Sequence, residues 1–242
     1  MLSSLLRKIH LGIYIFWVFF FFSLFYPALF LVCRAPKKNF TWIVKIRKTM
    51  ALLSTLFSGI YFRFNIPKNI DWNRGYIVCA NHTSILDISA LALLCKNDIS
   101  FMGKIELLQN PITRMFFKTI DIPVDRNSKI SSYRAFKMAQ QRISEGCTVI
   151  LFPEGGIGND YPPKLQAFKN GPFKLAIESG APILPVIIHD LWKLLWDEGS
   201  KGSKPGTCSI TVLQPIETIG IDVTKVDQLK DEVSKAFFQH LN

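Results

Sequence analysis

The sequence predicts an α/β fold: a mostly parallel mixed sheet flanked by helices, preceded by an N-terminal membrane-binding helical segment. Three observations carry this expectation. From Ile66 onward, short apolar runs alternate with longer amphipathic ones, the pattern of strands joined by crossover helices. Near the front stands a run of 22 residues without a charge, Leu11 to Val32. The formal charge of +11 is lodged at the same end: residues 1–70 hold 10 Lys/Arg and no Asp or Glu, whereas residues 71–242 hold 19 against 18.

The uncharged run would reach roughly 33 Å as a helix, enough for a hydrocarbon core of about 30 Å. It is too long for a cleaved signal peptide, and no small-x-small site follows it. Pro27 lies inside and is expected to kink the helix or split it in two. Arg7 and Lys8 precede the run, and Arg34, Lys37, Lys38, Lys45, Arg47 and Lys48 follow it. The next apolar stretch, Met50 to Phe62, has only about 13 residues, which suits an interfacial or re-entrant helix rather than a span. A single span would strand two cations on the far side of the bilayer. Two helices dipping into one leaflet would keep all eight on the cytoplasmic side. Either way the remaining domain faces the cytosol. The chain divides into a membrane-embedded or interfacial helical segment, 1–65, and a catalytic domain, 66–242.

Composition narrows the partners. A basic chain suggests nucleic acid or an anionic membrane surface. Because the body is nearly neutral, no nucleic-acid partner is expected, and membrane lipids are. The five cysteines, Cys33, Cys79, Cys95, Cys147 and Cys208, are odd in number and show no C-x-x-C or Cys/His spacing. No metal site, no cofactor and no disulfide framework is expected from them, and free thiols fit a reducing compartment.

In the body, Gly75–Ala80, Ile120–Val124, Cys147–Phe152, Ile183–Ile188 and Thr207–Leu213 read as strands. Ser84–Leu94, Ile130–Glu145, Pro172–Ser179 and Val226–Leu241 read as helices, two of them closed by Gly146 and Gly180. In such folds ligands sit beyond the carboxyl ends of the strands, and the chemistry-bearing motifs fall there.

His82 follows the first of these strands and Asp87 lies about one turn into the next helix, with Thr83 placed to cap it. A carboxylate on one ring nitrogen fixes the tautomer and raises the basicity of the other, which makes a general base. Taken alone, the pair also suits a helix-start histidine with an acid at the positive helix end. In Leu151-Phe-Pro-Glu-Gly-Gly156 a strand runs into an acid and two glycines. Gly155 can bring backbone N–H groups close to an anion and Glu154 can orient a hydroxyl, though an ordinary tight turn fits equally. Arg126, ending Asp121-Ile-Pro-Val-Asp-Arg, is a fork for phosphate or a partner of Asp125. Lys104 is a second phosphate contact or a plain helix-start lysine. Pro185, inside an apolar strand, suggests an edge or bulge that lines an apolar pocket or simply belongs to the core.

In this order and spacing, the blocks resemble the glycerophospholipid acyltransferase family, typified by 1-acylglycerol-3-phosphate acyltransferases. Its H-x4-D block is matched by His82 to Asp87 and its arginine-ending block by Ile122 to Arg126. Its F-P-E-G block is matched by Phe152 to Gly155, and its apolar V/I-P block by Leu184-Pro185-Val186. Gly103 to Leu107 is similar to the family's lysine segment, and the likeness spans roughly residues 66–220. It implies acyl transfer from a thioester, acyl-CoA or acyl-carrier protein, to the sn-2 hydroxyl of a lysophospholipid, giving phosphatidic acid without a cofactor. It implies His82 as base, Asp87 as its orienter, and Lys104, Arg126, Glu154, Gly155 and Pro185 around the substrate. A different lysophospholipid or a lyso-amino-acid lipid is the alternative acceptor, and a non-catalytic lipid-binding role is the third possibility. One departure stands out: the family's usual Thr-Arg-Ser after F-P-E-G is replaced by Gly156-Ile-Gly-Asn-Asp160. The contact of the missing arginine then passes to Lys164 or Lys169, or is absent.

Overall fold

A computed structural model describes residues 2–196 and 201–241. Two long helices come first, α1 (Leu2–Val32) and α2 (Phe40–Phe57). Seven strands follow: β1 (Ile60–Asn65), β2 (Ile77–Ala80), β3 (Ile99–Lys104), β4 (Ile122–Val124), β5 (Thr148–Leu151), β6 (Ile183–Ile188) and β7 (Gly206–Val212). Between and after them run α3 (Leu86–Leu94), α4 (Pro111–Phe117), α5 (Lys129–Ser144), α6 (Gly171–Ser179) and α7 (Val226–Leu241).

The strands form one sheet in the order β1-β7-β6-β2-β5-β3-β4. The five from β6 to β4 are parallel; β7 is antiparallel to β6, and β1 lies parallel to β7. β2, β5 and β6 are buried at every position, as parallel strands covered on both faces must be. One face packs against α1, α2 and α3 through residues such as Leu29, Val44, Leu91 and Val78. The other packs against α5, α6 and α7 through Ala135, Phe173, Phe237 and Ile183. The expected α/β architecture is the observed one, with α5 and α6 closed at Gly146 and Gly180 in positive φ.

Several local expectations change. Pro27 does not split the first helix, which is continuous to Val32. A proline five residues from a helix end forfeits only the bond to the carbonyl four residues back, and the turns around it keep theirs. Met50–Phe62 is not one interfacial helix: α2 starts ten residues earlier and stops at Phe57, and Gly59 (φ 67°) turns the chain into β1. β1, placed by the sequence in the front segment, is therefore part of the sheet, paired from Ile60 with Gly206.

The cations of α2 are not all membrane anchors. Arg47 is buried against Asp121, with Nη1 at 2.7 and 2.9 Å from the two carboxylate oxygens, and its Nη2 donates to the Ile99 carbonyl at 3.0 Å. Phe101 and Phe116 cover the guanidinium, 5.0 and 5.4 Å from their ring centres. Lys48 donates to the carbonyls of Cys95 and Asn97. These bonds fasten α2 to the sheet.

α1 is fastened near both ends and in between. The buried ring of His10 spans the Ser203 hydroxyl (2.7 Å) and the Ser58 carbonyl (2.9 Å). Tyr14 lies beside Ser89 of α3, and Cys33 beside Thr119. A stripe of Tyr14, Phe21 and Leu29 is buried, while Leu5, Ile13, Phe16, Phe20, Leu24 and Leu31 are exposed. α1 is the one described helix long and apolar enough to cross a membrane, with 17% of its most apolar window buried.

Candidate active site

The carboxyl ends of β2, β5, β3 and β4 gather most of the motif residues. Asn81 closes β2 by bonding both ways to Ile188 at the end of β6, its amide donating to the carbonyl at 2.9 Å and its oxygen accepting from the N–H at 2.8 Å. This clamp fixes the backbone one residue before His82. Motif reading missed Asn81 because a buried asparagine has no sequence signal apart from its neighbours.

His82 Nδ1 lies 2.8 Å from Asp87 Oδ2. The same oxygen accepts the backbone N–H groups of Thr83 (2.7 Å) and Ser84 (3.0 Å). An ionised carboxylate only accepts, so Nδ1 carries the proton, and the Nε2 lone pair is left facing outward. Asp87 is fully buried and the His82 side chain is 15% exposed. The imidazole also stacks on Phe152, ring centres 3.8 Å apart and planes 12° apart. The ring is thus fixed by one hydrogen bond at its edge and by one face. Thr83 does not cap α3: its hydroxyl has no partner. Ser84 lies just before the helix, its hydroxyl accepting from Leu86 N–H and donating to the Leu195 carbonyl, while Asp87 holds the amides of Thr83 and Ser84.

Glu154 is a bracket between two segments. One oxygen accepts the His82 backbone N–H and the other the Gln166 N–H, each at 2.8 Å. It is 5% exposed, and burial pushes its carboxyl above the ordinary glutamate range against the opposing pull of those two bonds. An acid bound more tightly to its proton in the fold than in the unfolded chain contributes stability that is present below the unfolded value and is lost as pH rises through the folded one. The stability of the wild type relative to Glu154→Gln is therefore expected to be greatest near pH 4 and to decline as the pH climbs through the raised value. Denaturant titrations of both proteins across that range check it; a flat difference would contradict it.

Gly155 adopts φ +89°, a conformation open to glycine. Its carbonyl accepts from Arg126 Nη1. A Cβ there would lie 2.8 Å from Lys169 Nζ and 3.2 Å from Arg126 Nη1, and one on Gly156 would lie 4.0 Å from Lys104 Nζ. Lys104 ends β3 opposite Val124 of β4, two residues before Arg126. The cations Lys104, Arg126 and Lys169 thus surround the glycine pair. Arg126 is not paired with Asp125, whose carboxylate accepts Asn127 N–H. Lys164 is exposed, with no hydrogen bond or ion pair to this group.

Pro185 is outside the cluster. It lies beside Cys79 in β6, an interior strand rather than an edge. Its carbonyl accepts Leu213 N–H, just past the end of β7. The missing N–H of Pro185 points the same way, so it falls where the neighbouring ladder has ended and removes no bond to β2. The thiols offer no competing nucleophile: burial pushes Cys79, Cys95, Cys147 and Cys208 up to about 12, so they stay protonated near neutrality.

A histidine held by a carboxylate at the mouth of a parallel sheet thus stands one bracket away from a basic glycine loop. The chain belongs to the acyltransferase family, whose description, Acyltransferase, matches residues 61–189 and so takes in every member of this cluster. Among relatives, 1-acyl-sn-glycerol-3-phosphate acyltransferase beta of Homo sapiens is 26% identical over 197 residues, covering 77% of this chain and 68% of the relative. The alpha form of Mus musculus is 25% identical over 220 residues, 90% of this chain and 74% of the relative. An uncharacterised acyltransferase of Schizosaccharomyces pombe is 29% identical over 179 residues, 72% and 64%. The crystal structure of the 1-acyl-sn-glycerophosphate (LPA) acyltransferase PlsC from Thermotoga maritima shares the fold, with a TM-score of 0.73 over 97% of each chain at 20% identity.

Proposed function

We propose that the protein transfers a fatty acyl group from a thioester to the sn-2 hydroxyl of 1-acylglycerol-3-phosphate, giving phosphatidic acid. The observation that carries this reading is the His82 ring, held by Asp87 with Nε2 unengaged, one bracket away from the cations around Gly155. In this mechanism Nε2 takes the proton of the sn-2 hydroxyl as the oxygen attacks the thioester carbonyl. Asp87 stabilises the imidazolium that forms, and the proton passes to the departing thiolate. The relatives named for 1-acyl-sn-glycerol-3-phosphate support the acceptor assignment.

For the oxyanion, the backbone N–H groups of Thr83 and Ser84, just before α3, are already committed to Asp87. In the glycine loop, Gly155 N–H donates to the Phe152 carbonyl. Gly156 N–H is the donor that remains, and we assign it to the developing charge.

α1 and α2 serve, in this reading, as the membrane seat. The exposed apolar side of α1 would bury in lipid, and Arg34 and Lys45, each over an aromatic ring, would sit at headgroup level on the cytoplasmic side. Attachment of α1 to the body at His10, Tyr14 and Cys33 favours a helix lying in one leaflet over a free-standing span.

The test is transfer by the purified protein in liposomes, with lysophosphatidic acid and labelled acyl-CoA, beside His82→Ala. Phosphatidic acid that disappears in the variant supports both acceptor and base. Acyl-carrier protein as donor is the next arm. The replacement of Thr-Arg-Ser by Gly-Ile-Gly favours a second reading, a lysolipid with another headgroup, and a panel of acceptors separates the two.

A further inference from the structure

We propose that the exposed face of α5 is a docking surface for a small acidic protein that bears the acyl group as a thioester, an acyl-carrier protein. This assignment rests on the acyl-transfer reading above for its reaction, and on the helix for its surface.

α5 differs in charge from the helices beside it. Lys129–Ser144 holds four cations, Lys129, Arg134, Lys137 and Arg142, and no acid. α6 and α7, packed on the same face of the sheet, carry both signs and an internal pair each, Lys174 with Glu178 and Lys230 with Asp227. Arg142 pairs with Glu145 just past the end of α5. Among the described residues, Lys129, Arg134 and Lys137 take part in no ion pair. Residues 71–242 hold 19 Lys/Arg against 18 Asp/Glu, so the excess on this helix is local.

The same face is apolar at its centre. Only Ala135 and Ala139 of α5 are buried. Ile130 is 67% exposed and Tyr133 63%, one turn apart, and Met138 is exposed as well. Positions 130, 133, 137 and 138 share one side of the helix. Lys137 Nζ lies 5.8 Å from the centre of the Tyr133 ring, so anchor and cation are contiguous. A single exposed apolar residue is ordinary. Two on successive positions of one face, rimmed by unpaired cations, have the anatomy of a protein interface: apolar anchors inside a charged border.

The sign of the border fixes the sign of the partner, since opposed charges steer docking and like charges forbid it. Two acidic surfaces belong to this reaction, an anionic bilayer and a carrier protein. Layer order argues against the bilayer. α5 packs on the sheet face opposite α1, α2 and α3, so its solvent side points away from the lipid seat proposed for α1. Position argues for the carrier. Asp125 N–H donates to the Ser131 hydroxyl at 3.0 Å, and the Ser132 hydroxyl donates to the Asp125 carbonyl at 3.3 Å. These bonds tie the first turn of α5 to the segment that presents Arg126 to the Gly155 carbonyl. Ile130 and Tyr133 stand within about 6 Å of rise from the helix start. A protein seated on them stands at the rim of the candidate site, where a flexible thioester arm can enter toward His82.

Steady-state kinetics on the full chain in liposomes test this, with lysophosphatidic acid as acceptor and acyl-carrier protein or acyl-CoA of one chain length as donor. Arg134→Glu/Lys137→Glu is expected to raise KM for acyl-carrier protein about tenfold or more, with KM and kcat for acyl-CoA within about twofold of wild type. Ile130→Ser/Tyr133→Ser is expected to shift the two donors apart in the same direction, and Lys235→Glu, an exposed cation of α7, to behave as wild type. The acyl-CoA arm shows that each variant is folded. A charge or apolar variant whose KM is unchanged for both donors, or raised equally for both, overturns the proposal. A wild type that takes acyl-CoA and refuses acyl-carrier protein overturns it too. So does a charge variant that leaves the liposomes where wild type stays, which makes the bilayer the occupant. A wild type inactive with both donors and every lysolipid acceptor sinks the acyl-transfer reading by itself, and the surface is then judged by binding of acyl-carrier protein to the full chain. Binding that weakens in the charge variant upholds the surface, and no binding to wild type, or equal binding to both, refutes it.

Discussion

Replacing His82 with alanine is expected to lower acyl transfer by a factor on the order of 10²–10⁴, with little change in the unfolding midpoint. The size follows from the role: a positioned base is worth about that much. The modest stability effect follows from the surroundings. The side chain is partly exposed, and Asp87 keeps its two backbone donors when the ring is gone. The stacking on Phe152 and the Nδ1 bond to Asp87 are what is lost. Asp87→Asn should behave differently. All three N–H groups bond the one oxygen Oδ2, which would lose its charge, and the buried, partnerless Oδ1 would become an NH₂ with no acceptor. Loss of activity should come with loss of stability. Rate and denaturant midpoint measured on both variants separate these outcomes. A fully active His82→Ala would remove the base assignment.

Arg47→Met carries the largest expected effect on stability, about 3–5 kcal/mol. Arg47 and Asp121 have side chains 7% and 4% exposed, and deleting the cation leaves a buried carboxylate with only the Phe101 N–H as donor. An unpaired charge in that position is far worse than no charge, so Arg47→Met/Asp121→Asn should be milder than Arg47→Met alone. The asparagine oxygen can still accept from Phe101. Denaturant unfolding in detergent measures all three. Equal losses in the single and double variants would show that the charge pair itself is not what the site depends on.

These two sites also show how far the sequence could be read. The H-x4-D spacing announces the His82–Asp87 pair because both partners lie on one strand–helix turn, where separation in sequence fixes separation in space. β2, β5 and β6 were legible for a related reason: strands buried on both faces are unbroken apolar runs. β3 was not, because Gly103 and Lys104 dilute its apolar start. β1 was lost because Ile60 and Phe62 continue the apolar tone of α2 without a break. α4 carries a readable signal in Asn110-Pro111, a side-chain cap followed by a proline in the first turn. Arg47 was misread as a membrane anchor since its partner is 74 residues away. Lys169 could be named as a candidate from the missing arginine. Choosing it over Lys164 required the loop closed by Gln166 N–H on Glu154 and Lys169 N–H on the Pro153 carbonyl, two bonds that no pattern encodes.

The fastening of α1 to the body at His10, Tyr14 and Cys33 has a kinetic consequence. In the proposed membrane seat, His82 would be carried at a set height above the acyl layer, and the protein would meet its acceptor by lateral diffusion in two dimensions. Turnover should then follow the mole fraction of lysolipid in the vesicle rather than its bulk concentration. Diluting it with inert phospholipid at constant total lysolipid should slow the reaction, whereas adding vesicles of unchanged composition should not.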